Sequence, residues 1–309
     1  MEHFYRGRFA PSPTGSLHFG SLIAAVGSYL EAKTHNGIWL VRMEDLDTPR
    51  TVAGAADDIL RTLEAFGLYW DETVLYQSQR TAVYEDALLD LQKSGMAYPC
   101  ACTRKEIADS ELHGIEGAVY PGTCRKGIPA GKQARAWRVR TDQFSPRHSG
   151  AGRNDDLEFD DALQGHITQS LEEEAGDFVV KRADGLFAYQ LAVVVDDAFQ
   201  GITHVVRGAD LLASTPRQIC LQRLLGLPTP HYMHLPVAVN AQGKKLSKQT
   251  LATPVDARNP GVTLLRALNF LRQEPPAELS GYELNSVLNW AAAHWDKNKM
   301  KGVMQLPAS

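Results

Sequence analysis

The sequence lacks several features that would place it in a large class of proteins. None of its apolar runs reaches the ~18 residues that a membrane-spanning helix needs. Its start, MEHFYRGRF, has no apolar signal-peptide stretch, so we expect a cytoplasmic protein without a membrane partner. With only four cysteines in 309 residues, a disulfide framework is not expected. A Walker A motif and a GxGxxG motif are both missing, which argues against a P-loop fold and an ordinary dinucleotide-binding fold.

Positive charge is also scarce over the chain as a whole. The net charge of −4 argues against a general nucleic-acid coat, and 22% charged residues are typical of a globular protein. Residues 124–148 are an exception, because seven basic residues stand there against one acid. Residues 152–177 reverse the sign, with nine acids against one arginine. Two solvated faces, or a cationic surface for phosphates beside an acidic one, explain this pattern equally well.

Hydrophobic periodicity predicts strands and helices that alternate. The predicted strands are 4–10, 38–43, 136–140, 186–196 and 201–207. The predicted helices are 21–34, 55–66, 81–93, 211–225 and 262–272. The order strand, helix, strand, helix in the first hundred residues favours a doubly wound parallel sheet. Glycine, proline, short strands and the charge reversal interrupt this order between residues 99 and 183, which indicates an inserted module.

Two short strings carry most of the functional information. RFAPSPTGSLHFGS covers residues 8–21, and KKLSKQ covers residues 244–249. Together they resemble the HIGH and KMSKS motifs of class I aminoacyl-tRNA synthetases. Three further strings, RMEDLD (42–47), YQLAVVVDDAFQGITHVVRGADL (189–211) and STPRQ (214–218), make the resemblance closest to the glutamyl branch of that class. The resemblance spans residues 8–249 and implies a Rossmann-like sheet.

The resemblance implies an ATP site and adenylate formation. When a carboxylate attacks the α-phosphate of Mg-ATP, charge builds on phosphoryl oxygens, so positioned cations and backbone donors are needed. A helix that begins after His18-Phe19-Gly20 offers free N–H groups, and Gly20 permits close approach of the nucleotide. The expected ATP-binding residues are His18, Gly20, Lys245 and Lys248, of which His18, Lys245 and Lys248 are the catalytic candidates. Two alternatives to an ATP site stay open. Residues 18–20 could form a turn that only caps a helix, and residues 244–249 could form an ordinary surface loop rich in lysine.

The same resemblance implies a glutamate site. Arg8 is expected to bind the side-chain carboxylate of L-glutamate, and Glu44 its α-ammonium group. The slot would be lined by Phe9, Ala10, Pro11 and Ser12, and completed by Tyr189 and Arg207. For Glu44 the alternative is a surface acid after a strand. For Arg207 the alternative is a structural ion pair with Asp210.

Three of the four cysteines suggest a metal site. Cys100, Cys102 and Cys124 have the thiol chemistry of a zinc site that lacks one ligand. The resemblance implies one structural Zn²⁺, with Tyr120 as the fourth ligand because of its Y-x3-C spacing. His113 stays open as an alternative fourth ligand, since histidine is the more common zinc ligand. A second alternative is that the three cysteines are buried thiols that bind no metal. Cys220 is expected to pack in a helix.

The length of the segment after KKLSKQ indicates which members of the glutamyl branch the chain resembles most. Only 60 residues follow Gln249, so we expect a short helical C-terminal segment and no anticodon-binding domain. The truncated relatives in this branch, which form the glutamyl-Q tRNA(Asp) family, transfer activated glutamate to queuosine, the modified wobble base of tRNA-Asp. The resemblance therefore implies tRNA-Asp bearing queuosine as a partner of a monomeric enzyme. Arg135, Arg138 and Arg140 are candidate phosphate contacts.

The predicted organisation is an α/β fold with an inserted α+β module that bears zinc. The expected boundaries are 1–98 and 186–250 for the two halves of the catalytic domain, 99–185 for the insert and 251–309 for the C-terminal segment. Three rival functions stay open. They are a truncated synthetase that charges a tRNA 3′ end, a nucleotidyltransferase of the HxGH type, and a zinc-bearing RNA-binding module with a decayed active site.

Overall fold

The computed structural model describes residues 4–110, 113–114, 117–142, 156–240, 242–245 and 253–308, with only the backbone at 113 and 114. Its strands are β1 (Arg6–Phe9), β2 (Ile38–Met43), β3 (Leu75–Tyr76), β4 (Ala97–Cys100), β5 (His113–Gly114), β6 (Gly117–Ala118), β7 (Ala136–Val139), β8 (Asp156–Asp161), β9 (Gly165–Ser170), β10 (Phe178–Lys181), β11 (His204–Gly208), β12 (His231–Leu235), β13 (Val237–Val239) and β14 (Gln305–Pro307). Its α-helices are α1 (Phe19–Thr34), α2 (Ala55–Ala65), α3 (Thr81–Lys93), α4 (Arg104–Ala108), α5 (Tyr189–Phe199), α6 (Thr215–Leu224), α7 (Pro260–Phe270) and α8 (Leu284–His294).

Parallel pairing dominates the sheets near the chain's first strand. Strands β1, β2 and β3 form a parallel sheet in that order, with Arg8 of β1 opposite Leu40 of β2. Strands β11 and β12 also pair in parallel, and the Thr203 amide donates to the Arg6 carbonyl across the gap to β1. The carboxyl ends of β1, β2, β11 and β12 therefore lie at one edge, where open α/β sheets bind ligands.

Helix α1 packs directly on these strands. Its buried residues include Leu22, Val26 and Leu30, which have no exposed surface. Gly27 lies against β12, because a Cβ atom there would stand 2.5 Å from Leu235 Cδ1. Glycine at this position thus allows the helix to approach the sheet closely.

The predicted insert contributes to two different sheets. Strands β4, β7 and β10 form an antiparallel sheet of their own. The β8–β9 hairpin instead joins the sheet of β11 and β12, through a parallel bridge between Tyr232 and Asp161. The insert is thus tied to the strands that line the carboxyl edge, whereas its predicted boundaries stay a prediction.

The chain's last described segment packs on the first helix. Glu31 of α1 is buried and accepts hydrogen bonds from Trp295 Nε1 and Lys297 Nζ, both at 2.6 Å. Strand β14 pairs in parallel with β13. Across the described ranges, none of the helices has the length and apolar character needed to cross a membrane.

One predicted strand is wrong. Residues 186–196 were expected to be a strand, but residues Tyr189–Phe199 form α5. The segment LAVVVDD is buried on nearly all sides of this helix, so no polar face reveals the helical period. Tertiary packing therefore overrides the strand preference of its three valines. The other predicted strands and helices are present with ends shifted by a few residues, and 38–43 and 81–93 agree with β2 and α3.

Candidate active site

A cavity of about 850 Å³ opens at the carboxyl edge of the strands. It gathers every predicted glutamate-site residue and every predicted ATP-site residue that the structure describes. These are Arg8, Phe9, Ala10, Pro11, Ser12, His18, Gly20, Glu44, Tyr189, Arg207 and Lys245. Lys248 lies outside the described residues. The sequence prediction that these positions share one site is consistent with their arrangement, and their individual roles stay predictions.

Arg8 at the floor of the cavity is held by a carboxylate from α5. Its Nε and Nη2 donate to Asp197 Oδ1 at 3.0 Å and Oδ2 at 3.3 Å. Arg42 of β2, which is fully buried, places its Nη2 2.8 Å from Asp197 Oδ1. Burial opposes the charged form of Asp197, but the guanidiniums of Arg8 and Arg42 outweigh it and hold the pKa of the carboxyl below its usual range. Among the described residues, Arg8 Nη1 has no hydrogen-bond partner.

Glu44 follows the end of β2 and lies on the same side of the cavity. Its Oε1 is 3.7 Å from Arg42 Nη2 and is buried without a hydrogen-bond partner in the described part of the chain. Burial raises the pKa of Glu44 to about 7, although Arg42 and Arg8 act in the opposite direction. Because Glu44 lines the cavity and its side chain is 11% exposed, its carboxylate is suited to a cationic group of a ligand.

Arg207 at the end of β11 has a different environment from Arg8. It is buried, and within the described ranges its hydrogen bonds go to uncharged groups only. Its Nε donates to His234 Nε2 at 3.0 Å, and its Nη1 donates to Gln218 Oε1 at 2.8 Å and Tyr189 Oη at 3.2 Å. The expected alternative of an ion pair with Asp210 is wrong, because Asp210 contacts Lys245 instead. The positive charge of Arg207 is therefore available to an anion in the cavity.

His18 and Gly20 stand where α1 begins. His18 is the N-cap residue, and its Nδ1 accepts from the Ser21 amide at 3.3 Å. The capping alternative thus holds for His18, but the residue also lines the cavity beside Gly20. Since the first-turn N–H groups of a helix lack intrahelical acceptors, this end of the cavity favours anions.

The described part of the KKLSKQ segment, residues 244–245, also borders the cavity. Lys244 and Lys245 both line it, and Lys245 Nζ forms an ion pair with Asp210. The side chain of Lys245 is 46% exposed, so its ammonium group can change partners at little cost.

Cys100, Cys102 and Cys124 form a compact cluster at one end of the insert. Their sulfur atoms all lie within 4.8 Å of one another, and those of Cys102 and Cys124 are 3.7 Å apart. Two sulfurs bound to one tetrahedral Zn²⁺ at ~2.3 Å would be about 3.8 Å apart, so the cluster could hold a metal ion. All four cysteines are free thiols, and Cys220 is buried in α6 as predicted.

The hydroxyl of Tyr120 lies beside this cluster. It lies 3.4 Å from Cys100 Sγ and 3.7 Å from Cys102 Sγ, and it accepts from the Cys124 amide at 2.8 Å. Burial and the neighbouring thiols raise the pKa of Tyr120, so a phenolate would need the charge of a metal ion. The side chain of His113 lies outside the described residues.

The basic residues of the insert are largely engaged within the protein. Arg138 is buried, with its guanidinium 4.0 Å from the centre of the Tyr120 ring and its Nη1 donating to the Asp177 carbonyl. Arg140 pairs with Asp142 at 2.7 Å. The expectation that Arg138 contacts phosphate is therefore wrong. Part of the basic segment pairs with the acidic one, because Arg125 binds Asp177 at 2.7 Å.

Four functional candidates were not assigned a role from the sequence. They are Arg42, Asp161, Asp197 and His234, and all are buried. A signal exists for Arg42 and Asp197, since a charged residue inside an otherwise apolar strand or helix needs a partner. No local signal marks Asp161 and His234, because they meet only in the folded chain.

Comparisons with known proteins agree with this geometry. The sequence model described as "tRNA synthetases class I (E and Q), catalytic domain" matches residues 5–273. The chain is 60% identical over 312 residues to a glutamyl-Q tRNA(Asp) synthetase of Dechloromonas aromatica (strain RCB), covering 100% of both chains. It is 55% identical to a protein of the same name from Chromobacterium violaceum, covering 99% of this chain and 98% of the relative.

Solved structures show the same fold. A glutamate tRNA ligase from Elizabethkingia meningosepticum in complex with its amino acid superposes with a TM-score of 0.76 at 23% identity. The match covers 99% of this chain and 67% of that one. The expectation of a class I synthetase fold is thereby confirmed. The chain belongs to the class I tRNA synthetases of the E and Q group, and within that group to the glutamyl-Q tRNA(Asp) synthetase family.

Proposed function

We propose that this protein activates L-glutamate with Mg-ATP and transfers the glutamyl group to queuosine in the anticodon loop of tRNA-Asp. The observation that carries the proposal is the shared cavity, which places two buried arginines and the largely buried carboxylate of Glu44 beside a helix N-terminus and lysines. Full-length identity of 60% to a glutamyl-Q tRNA(Asp) synthetase supports queuosine rather than a tRNA 3′ end as the acceptor.

Glutamate fits the buried end of the cavity by charge. Its side-chain carboxylate approaches Arg8 Nη1 and the uncompensated charge of Arg207, with Tyr189 beside it. Its α-ammonium group pairs with the carboxylate of Glu44, and residues 9–12 line the slot. When Glu44 is ionised, Arg8, Arg42, Arg207, Glu44 and Asp197 together carry a net charge of +1, which the net charge of −1 on glutamate neutralises.

The open end of the cavity suits the triphosphate. One α-carboxylate oxygen of glutamate attacks the α-phosphorus, the bond to pyrophosphate breaks, and glutamyl-adenylate forms. His18 and the N–H groups around Gly20 face the phosphoryl oxygens, while Lys245 and Lys248 stabilise the pyrophosphate as it leaves. A hydroxyl of queuosine then attacks the carbonyl carbon, and AMP leaves with the shared oxygen.

We also propose that Cys100, Cys102, Cys124 and Tyr120 hold one structural Zn²⁺. When bound, the ion would crosslink β4 to the turn before β7 and supply the charge that a tyrosinate ligand needs. Metal analysis in buffer without chelator should give one zinc per chain, and a value well below one contradicts the site. Tyr120→Phe should lose zinc and His113→Ala should retain it; the reverse result would assign the fourth ligand to His113.

Labelled glutamate tests the proposed acceptor. Wild-type protein is incubated with labelled glutamate, ATP and tRNA-Asp that either carries queuosine or has guanosine at the same position. Labelling should require queuosine and should survive enzymatic removal of the terminal adenosine. Labelling that is independent of queuosine and lost with the adenosine would establish the acceptor-end rival. Glutamate-dependent pyrophosphate–ATP exchange without tRNA tests the activation step separately.

A further inference from the structure

On the side away from the cavity, Arg207 is linked by hydrogen bonds to His234 and, through it, to Asp161, two residues with no assigned role. His234 of β12 has no exposed surface, and its Nδ1 lies 2.6 Å from Asp161 Oδ2 at the end of β8. Its Nε2 faces Arg207 Nε at 3.0 Å and Thr215 Oγ1 at 3.2 Å. A continuous chain of hydrogen bonds therefore runs from the inserted hairpin to the cavity wall.

The chemistry of the side chains fixes which atom donates and which accepts in each of these hydrogen bonds. A guanidinium can only donate, so His234 Nε2 must accept from Arg207. An ionised carboxylate can only accept, so His234 Nδ1 must carry the proton. Burial lowers the pKa of His234 to about 4, although its hydrogen bond to Asp161 acts in the opposite direction, and the ring is neutral. One tautomer alone is compatible with both neighbours.

The same series of hydrogen bonds also fixes the orientation of the Tyr189 hydroxyl in the cavity. Tyr189 Oη accepts from Arg207 Nη1 at 3.2 Å, which leaves its own proton to donate elsewhere. Tyr189 lines the cavity, so this proton is available to an anionic group there. Arg207 thereby presents its charge and an oriented hydroxyl to the same place.

We propose that Asp161 and His234 are positioning residues for amino-acid binding: through one tautomer of His234 they orient Arg207 and, through it, Tyr189 toward the side-chain carboxylate of the substrate. This inference rests on the proposed glutamate activation. It gives the β8–β9 hairpin of the insert a role in amino-acid selection, in addition to any contact with RNA.

Asp161→Asn is a sharp test because the backbone fixes how the new amide sits. Asp161 Oδ1 accepts from the amides of Leu163 at 3.0 Å, Gln164 at 2.9 Å and His234 at 3.3 Å. The amide oxygen must stay at that position, so the NH₂ group replaces Oδ2 and donates to His234 Nδ1. The proton of His234 then moves to Nε2, where it opposes the Arg207 Nε–H group.

We expect this variant to raise the KM for glutamate about tenfold or more in pyrophosphate exchange, as for a buried donor left unpaired. The KM for ATP should stay within about twofold. Asp177→Asn is the matched control, since Asp177 is a buried carboxylate that accepts from Arg125 and Thr141 away from the cavity. It should lower the melting temperature but leave the ratio of the two KM values unchanged.

A pair of His234 variants separates positioning from packing. In His234→Gln a carbonyl can still accept from Arg207, whereas His234→Leu fills the space without an acceptor. Glutamate KM should therefore rise less in His234→Gln than in His234→Leu, and this comparison decides if Asp161→Asn does not fold. The inference would be overturned by equal glutamate KM values in His234→Gln and His234→Leu, or by an unchanged glutamate KM in Asp161→Asn. Either result leaves the proposed function standing as long as the wild-type protein activates glutamate. A wild-type protein that does not activate glutamate would instead refute the proposed function.

Discussion

The two ends of the cavity hold their charges in opposite ways. At the glutamate end, the side chains of Arg8 and Asp197 are 3% and 8% exposed and bind each other through two hydrogen bonds. At the nucleotide end, those of Lys245 and Asp210 are 46% and 31% exposed and form a surface ion pair. Buried charges need fixed partners, because an unpaired charge is costly away from water, whereas exposed ones can exchange partners.

This difference matches the tasks that we propose for the two ends. Choosing one amino acid requires groups whose positions are set before the substrate arrives. Stabilising pyrophosphate as it leaves requires cations that can follow a moving charge, and the long lysine side chain can do so. Removing charge at the buried end should therefore damage the fold, and removing it at the open end should damage catalysis alone.

The largest effect is expected from Asp197→Asn. This change leaves Arg8 and Arg42 without their shared carboxylate in a buried site, and should lower the free energy of unfolding by about 3–5 kcal/mol. Urea denaturation measures it. Asp90→Asn is the control, since it breaks an exposed pair with Lys93 and should cost less than about 1 kcal/mol. Similar losses in the two variants would show that burial does not distinguish the two kinds of pair.

Lys245→Ala should give the next largest effect, and on activity rather than stability. Loss of one cation near the leaving group should raise the barrier for pyrophosphate exchange by on the order of 2–4 kcal/mol. The free energy of unfolding should change by no more than about 0.5 kcal/mol, because the side chain is half exposed. Lys93→Ala, an exposed lysine on α3, serves as the matched control. An unchanged exchange rate would remove Lys245 from the catalytic set.

The smallest effect concerns the pH dependence of glutamate binding. Burial raises the pKa of Glu44 to about 7, and only the ionised form can pair with the α-ammonium group. Between pH ~8 and ~6 its ionised fraction falls from about nine-tenths to one-tenth, so the KM for glutamate should rise about tenfold as the pH falls. The KM for ATP should not follow this curve. Glu44→Gln should have a high glutamate KM that no longer depends on pH over this range; a retained slope would assign the titration to another group.

The sequence predicted local structure well where one face of an element stays polar or where turn signals mark both of its ends. Helix α3 has an exposed side, so its periodicity located it correctly, and the apolar strand β2 lies between clear turn signals. Helix α5 was misread because it is buried on nearly all sides and rich in valine. The error matters for the site, since a helix rather than a strand carries both Tyr189 and Asp197 to the cavity.

The sequence motifs by themselves determined which chemical groups are present and which family the chain resembles. They also predicted which residues share the cavity. The tertiary structure decided which charges are paired. Arg8 and Asp197 are 189 positions apart in the chain, and His234 and Asp161 are 73 apart. A short motif encodes turns, caps and periodicity, which depend on neighbouring residues. Ion pairs, tautomers and burial instead depend on distances in space, and only folding brings these distant residues within hydrogen-bond reach.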